Sequence, residues 1–137
     1  MKDELRINQL SPQAFTWYQA YLQLVDEQDA HTFAAFLHDD ATFQFGNQPS
    51  VQGKHAIVNT LKQFWATYNG EEHILHTILG TDRCFALEAT NVFKRLDGKQ
   101  VALPAVAITE RNEHGLVTSF RVFIDIAPLY APSDDVG

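Results

Sequence analysis

Residues 84–126, CFALEATNVFKRLDGKQVALPAVAITERNEHGLVTSFRVFIDI, decide the fold. Three runs rich in β-branched and aromatic residues, near 84–95, 99–110 and 116–126, are separated by Leu96-Asp97-Gly98-Lys99 and Asn112-Glu113-His114-Gly115. Asp-Gly between alternating apolar runs is a strong hairpin signal, because the tight turn needs residues that tolerate positive φ. A fourth run near 72–80 leads into Gly80-Thr81-Asp82, so the four runs form an antiparallel meander. Each is longer than the about six residues of an ordinary strand, which favours a strongly curved sheet.

The half before about Asn69 reads as helix. Ser11 followed by Pro12 is an N-cap with proline at the first helical position. Phe15, Tyr18, Leu22 and Val25 then form one stripe, and Trp17, Tyr21 and Leu24 its neighbour. So wide an apolar face suits a helix pressed into a groove. Asp29 caps a second helix, expected to carry Phe33, Phe36 and Leu37 and to break at His38-Asp39-Asp40. Ala41–Phe45 alternates like a strand, and Gly46-Asn47-Gln48-Pro49 turns the chain. A third helix is expected after Gly53, with Ile57, Leu61, Phe64 and Tyr68 buried and Asn69-Gly70 at its end. Helices feeding a curved sheet make an α+β cone with an open mouth, where a small molecule would sit.

Composition narrows the function. The 137 residues, 45% hydrophobic, suit one domain spanning 1–137, with a core at about 12–131 and a mobile tail at 132–137. A net charge of −7, with no Lys/Arg cluster, argues against nucleic acid or an anionic membrane as partner. Cys84 is the single cysteine, so it is expected as a packed thiol in a reducing cytoplasm. The charged start, Met1-Lys2-Asp3-Glu4-Leu5-Arg6, lacks the apolar stretch of a signal peptide, and no run approaches the about 20 residues that span a bilayer. With no glycine-rich nucleotide loop and no metal-spaced cluster, neither cofactor nor metal is expected.

The succession of two helices, a short strand containing Asp39-Asp40-Ala41-Thr42-Phe43, the segment Gly53-Lys54-His55-Ala56-Ile57 and four strands resembles the nuclear transport factor two-like superfamily. Within it, Asp97-Gly98, Leu103-Pro104, Arg121-Val122-Phe123-Ile124-Asp125 and Pro128-Leu129 are similar to the SnoaL-like, polyketide cyclase-like branch. The resemblance implies a cystatin-like, cone-shaped barrel of mainly antiparallel sheet around N-terminal helices, commonly a homodimer through the outer sheet face. The superfamily includes polyketide cyclases, ketosteroid isomerase, scytalone dehydratase, limonene epoxide hydrolase and non-catalytic binding domains, so fold alone sets no function. The phenol donor of ketosteroid isomerase falls on Tyr21, its general base near Phe45 and its second acid near Val106. The aspartate of the cyclases and epoxide hydrolase falls on Val122. Three of these four positions are apolar here, so the resemblance implies the container without the known machinery.

Other residues must then carry any chemistry. If Phe120, Val122 and Ile124 face the cavity, Arg121, Phe123 and Asp125 face away, because strand side chains alternate. The plainer role of Arg121 and Asp125 is to order the outer sheet or a dimer contact; a functional role needs Asp125 to curl into the mouth. His73 and His76 are three apart on a strand, so one of them reaches the pocket and a metal shared by both is disfavoured. Asn91 shares an inward face with Phe85, Leu87, Ala89 and Phe93, where it either bonds internally or orients a ligand carbonyl or hydroxyl. Trp17, Tyr18, Phe45, Trp65, Phe93, Val106 and Val122 complete the expected pocket for a small apolar or aromatic ligand.

Two functions of different class follow. The first is a protein that binds a small, mostly apolar molecule without changing it. The second is a cofactor-independent isomerase, dehydratase or cyclase, with His73 or His76 as base, Tyr21 as hydrogen-bond donor and Asn91 as orienting group. A plain dimerisation module, its cavity filled by its own side chains, is the third.

Overall fold

A computed structural model describes residues 10–133. The N-terminal hexapeptide and the end of the expected tail, 134–137, lie outside the described residues. Helix α1, Pro12–Asp26, starts where the sequence places it: Ser11 is extended, and its side chain accepts from the Ala14 N–H at 3.1 Å. Asp29 caps the short α2, Ala30–Ala34, through the Thr32 N–H. Strand β1, Leu37–Phe45, then begins earlier than expected. Leu37 is buried and pairs in parallel with Val117, so His38-Asp39-Asp40 forms an irregularity inside β1 rather than a helix end. Phe36 and Leu37 thus lie beyond α2.

Strand β2, Val51–Gln52, returns beside β1 and leads through Gly53 into α3, Lys54–Trp65. The helix stops before Tyr68, because the Asn69 N–H already donates to the Lys94 carbonyl at 2.7 Å. Gly70 opens a strand instead of ending a helix. The meander follows as β3, Gly70–Gly80, β4, Cys84–Lys94, β5, Gln100–Arg111, and β6, Val117–Ile124, with a 3₁₀ turn at Ala127–Tyr130. Its turns are those expected: Gly80, Gly98 and Gly115 all take positive φ. Cys84 departs from expectation, being exposed at the start of β4.

The six strands run β2-β1-β6-β5-β4-β3, parallel at β1–β6 and antiparallel elsewhere. The curved sheet is not closed, so β2 and β3 are its edges. Its inner face carries Phe85, Leu87, Ala89, Asn91 and Phe93 from β4, with Leu103, Ala105 and Thr109 from β5. Aromatic rings knit the helices to this face: Tyr18 meets Phe85 edge-on at 4.6 Å, and Phe43 stacks on Phe120 at 4.3 Å. Such pairs contribute about 1 kcal/mol each beyond area burial. The start of α1 is latched separately, the Ser11 N–H donating to Asp82 Oδ1 while the Arg111 guanidinium lies 4.3 Å from the centroid of Trp17. Among the described residues no helix is long and apolar enough to cross a membrane.

The β3–β4 turn is the tightest point of the meander. A Cβ on Gly80 would lie 2.3 Å from the Cys84 carbonyl oxygen, whereas one on Gly98 would meet nothing within 4 Å. Gly80→Ala is therefore expected to lower unfolding free energy by about 2 kcal/mol or more, and Gly98→Ala by about 1 kcal/mol from its positive φ alone. Urea titration checks this order; equal losses would contradict it.

Candidate functional site

A cavity of about 70 Å³ lies between α1, α3 and the inner sheet face. Its walls are mostly apolar and aromatic, including Tyr18, Phe43, Phe45, Phe64, Trp65, Phe120 and Val122. Five residues with polar groups reach it besides Tyr18: Tyr21 from α1, Glu71 and His73 from β3, Asn91 from β4 and Thr109 from β5. Glu71 and His73 share a strand face by the two-residue period, and His73 pairs directly across the ladder with Asn91.

His73 is the best-held of these groups. Its Nδ1–H donates to Asp26 Oδ1 at 2.5 Å, and its backbone N–H reaches Asp26 Oδ2 at 3.3 Å. A carboxylate only accepts, so this bond puts the proton on Nδ1. Nε2 is thereby directed towards Glu71, whose Oε2 lies 3.6 Å away, too long for a direct hydrogen bond. Glu71 Oε1 in turn accepts from the Tyr68 hydroxyl at 2.9 Å. All of this is largely enclosed: the side chains of Asp26, His73 and Glu71 are 18%, 11% and 5% exposed.

The chain Asp26–His73–Glu71–Tyr68 has an electrostatic logic. Burial alone would lower the His73 pKa, but the bond to Asp26 and the charges of Glu71 and Asp26 outweigh it and lift the imidazole above its ordinary 6.5. Burial raises the Glu71 carboxyl above its ordinary 4.5, although His73 and the Tyr68 hydroxyl pull the other way. Burial first, and the charge of Glu71 second, keep Tyr68 a phenol that donates. Two neighbouring buried groups thus both hold their protons more tightly than they would in water. Asp26 itself stands in the last turn of α1, where the helix dipole disfavours a carboxylate.

Tyr21 adds a second feature. It is buried, its pKa is pushed well up by burial, and its hydroxyl has no hydrogen-bond partner among the described residues. An unmet buried hydroxyl costs roughly 1–3 kcal/mol, so it is a ready donor for an oxygen placed in the cavity. Tyr18, by contrast, bonds Thr109.

Other expected positions fall elsewhere. His76 is the unpaired residue of a β-bulge between Leu75 and Thr77; its Nε2 meets Thr90 Oγ1 on the outer face. Val106 also points outwards, because the inward positions on β5 are Ala105 and Ala107. Trp17 lies under Arg111 and Phe93 packs against Tyr68, so neither lines the cavity. Arg121 pairs with Glu110 on the outer face, and Asp125 caps the final turn through the Ala127 N–H. The sequence reading does not place Asp26, Glu71 or Tyr68 at the site, although the alternation that turns His73 inwards also selects Glu71. Among the described residues no group of three or more His, Cys, Asp or Glu side chains is arranged to hold a metal ion.

Both raised pKa values mean that the fold binds more protons than the unfolded chain, from about pH 4.5 to beyond 6.5. The stabilisation is complete below that range and is lost as pH rises through the folded-state values. The unfolding free energy of the wild type minus that of a Glu71→Gln/His73→Gln double variant should therefore fall as pH rises above the ordinary carboxyl value of 4.5 and on past the ordinary imidazole value of 6.5. Urea titrations across this range check it; a difference that grows with pH would contradict the assignment.

Comparison with known proteins places this geometry in context. Residues 18–120 match the SnoaL-like domain. No curated protein matches the chain. Among solved structures, a protein of Shewanella denitrificans OS-217 that carries the name SnoaL-like polyketide cyclase superposes with a TM-score of 0.75 at 14% identity, over 84% of this chain and 92% of that one. An LEH-like epoxide hydrolase of M. tuberculosis gives 0.70 at 20% identity, over 85% and 86%. An NTF2-like protein of unknown function from Burkholderia pseudomallei K96243 gives 0.76 at 10% identity, over 87% and 95%. At these identities the likeness establishes the fold alone.

Proposed function

The chain belongs to the SnoaL-like domain family, and from that premise we propose that its cavity binds a small, mostly apolar molecule and moves a proton on it without a cofactor. The observation that carries this reading is the enclosed Asp26–His73–Glu71 set opening on an otherwise apolar cavity. Burying three ionisable groups is costly even when they are paired, and an apolar core of the same shape would serve stability as well or better. A fold that keeps them beside an orphan phenol is organised for chemistry.

The roles follow from position. His73 Nε2 is the base or acid facing the ligand, with Asp26 holding its tautomer and balancing the imidazolium. Glu71 takes or returns the proton, and Tyr21 donates to a ligand carbonyl or hydroxyl. Asn91, opposite His73, orients that same oxygen. Such an arrangement serves isomerisation, dehydration or ring closure through removal of a proton next to a carbonyl. The family positions at Phe45 and Val122 serve here as walls.

The outer sheet face supports a homodimer. Val106 and Phe123 are ladder partners, 38% and 55% exposed, and Ile74 on β3 is 45% exposed. Exposed apolar side chains on this open face, beside the Thr77–Glu88 pair, suit contact with a second copy of the chain.

Deuterium uptake next to the carbonyl of neutral ketones tests the chemistry without a known substrate. Wild-type protein should accelerate uptake with saturation, His73→Gln should lower the rate about 10²-fold or more, and Tyr21→Phe about tenfold, as for loss of a base and of one hydrogen bond. Saturable binding with no acceleration would overturn catalysis and leave a binding protein.

A further inference from the structure

The cavity beside His73 is too small to be the whole site. Its 70 Å³ is about half of the ~150 Å³ that encloses a benzene ring. A second space of about 490 Å³ lies directly outside it, between α3, the β1–β2 turn and the final 3₁₀ turn. Phe43, Phe45, Leu61 and Phe64 line both spaces, and among them the rings of Phe45 and Phe64 lie with centroids 4.7 Å apart.

The outer groove has a definite chemistry. None of the residues lining it is charged. Phe45, Phe64, Pro49 and Tyr130 give flat apolar walls, and the amides of Gln48 and Gln63 stand at the groove. Its third wall is fixed in place: the Tyr130 hydroxyl bonds Thr67 at 2.8 Å, and Arg95 donates to the carbonyls of Pro128 and Ala131. The inner chamber likewise contributes no lysine or arginine, and His73 is already matched by the carboxyls of Asp26 and Glu71. An anionic group in either space would go unpaired.

Resting on the proton-transfer reading, we propose that the substrate is a neutral, two-part molecule. A small carbonyl- or hydroxyl-bearing head occupies the inner chamber, and a larger uncharged, ring-containing body lies in the outer groove as a specificity subsite. The body supplies most of the binding energy through apolar contact with Phe45 and Phe64, while the glutamine amides accept or donate to its substituents. Phe45 and Phe64 grip the link between head and body.

Calorimetric titration with three probes tests this without turnover, so failure here is distinct from failure to exchange protons. The probes are 4-phenyl-2-butanone, 2-butanone as its head alone, and 3-phenylpropanoate as its isosteric anion. The aryl ketone should bind at least about tenfold more tightly than either of the others. Gln63→Trp and Thr60→Trp, each filling the groove from the surface of α3, should bring the ratio of aryl ketone to 2-butanone affinity close to one. Equal affinities in the wild type, preference for the anion, no saturable binding of the aryl ketone at millimolar concentration, or a ratio that survives both tryptophans would each overturn the proposal.

Discussion

The bond between Asp26 and His73 sets the relation of the helical half to the sheet. Asp26 ends α1, and His73 lies on β3, the edge strand at the far side of the sheet from β2. One carboxylate meets both the imidazole and the outward backbone N–H of His73, so it covers part of an unpaired edge as it holds the ring. The contact also offsets the unfavourable position of a carboxylate at a helix C-terminus. Removing either partner would leave a buried group without its counter-charge, a change more costly than the pair's own net contribution. From this one contact follow the Nδ1 tautomer, the direction of Nε2 and the linkage to Glu71.

The rest of the interior is built to isolate that polar end. Tyr18, Phe33, Phe85 and Phe93 are almost wholly enclosed and fill the core by ring contacts. In so apolar a surrounding, charges interact strongly and a single water or ligand oxygen matters. Relatives place their acids on β1 and on the late strands, by the resemblance drawn from the sequence. The resemblance sets Phe45, Val106 and Val122 at those positions, while the buried carboxyl and imidazole that line the cavity, Glu71 and His73, stand on β3.

Much of the architecture was readable from residues alone because local chemistry decided it. Ser11-Pro12, Asp97-Gly98 and the glycines of the other turns each impose a backbone state that little else in the chain could override. The misread boundaries are those where tertiary pairing won. Leu37 leaves α2 for a buried place beside Val117, and Tyr68 falls outside α3 because Asn69 is already bonded to β4. The site was harder to see. Strand alternation turns Asn91 inwards but leaves His73 and His76 as alternatives, and Val106 comes into the expected pocket through the family resemblance, whereas on β5 it points outwards. Asp26 pairs with His73 across 47 positions, a contact that no local pattern encodes. Glu71 shares the face of His73 by the two-residue period, so it becomes legible only once His73 is known to point inwards.

The most direct test of the account is the titration of the His73 imidazole, followed by nitrogen and proton NMR in the wild type and in Asp26→Asn. The account predicts a midpoint above 6.5, with the neutral form protonated on Nδ1, and a downward shift on loss of the Asp26 charge. A midpoint below 6.5, or one that Asp26→Asn leaves in place, would show that burial rather than the carboxylates governs His73. That result would contradict the proton-transfer site.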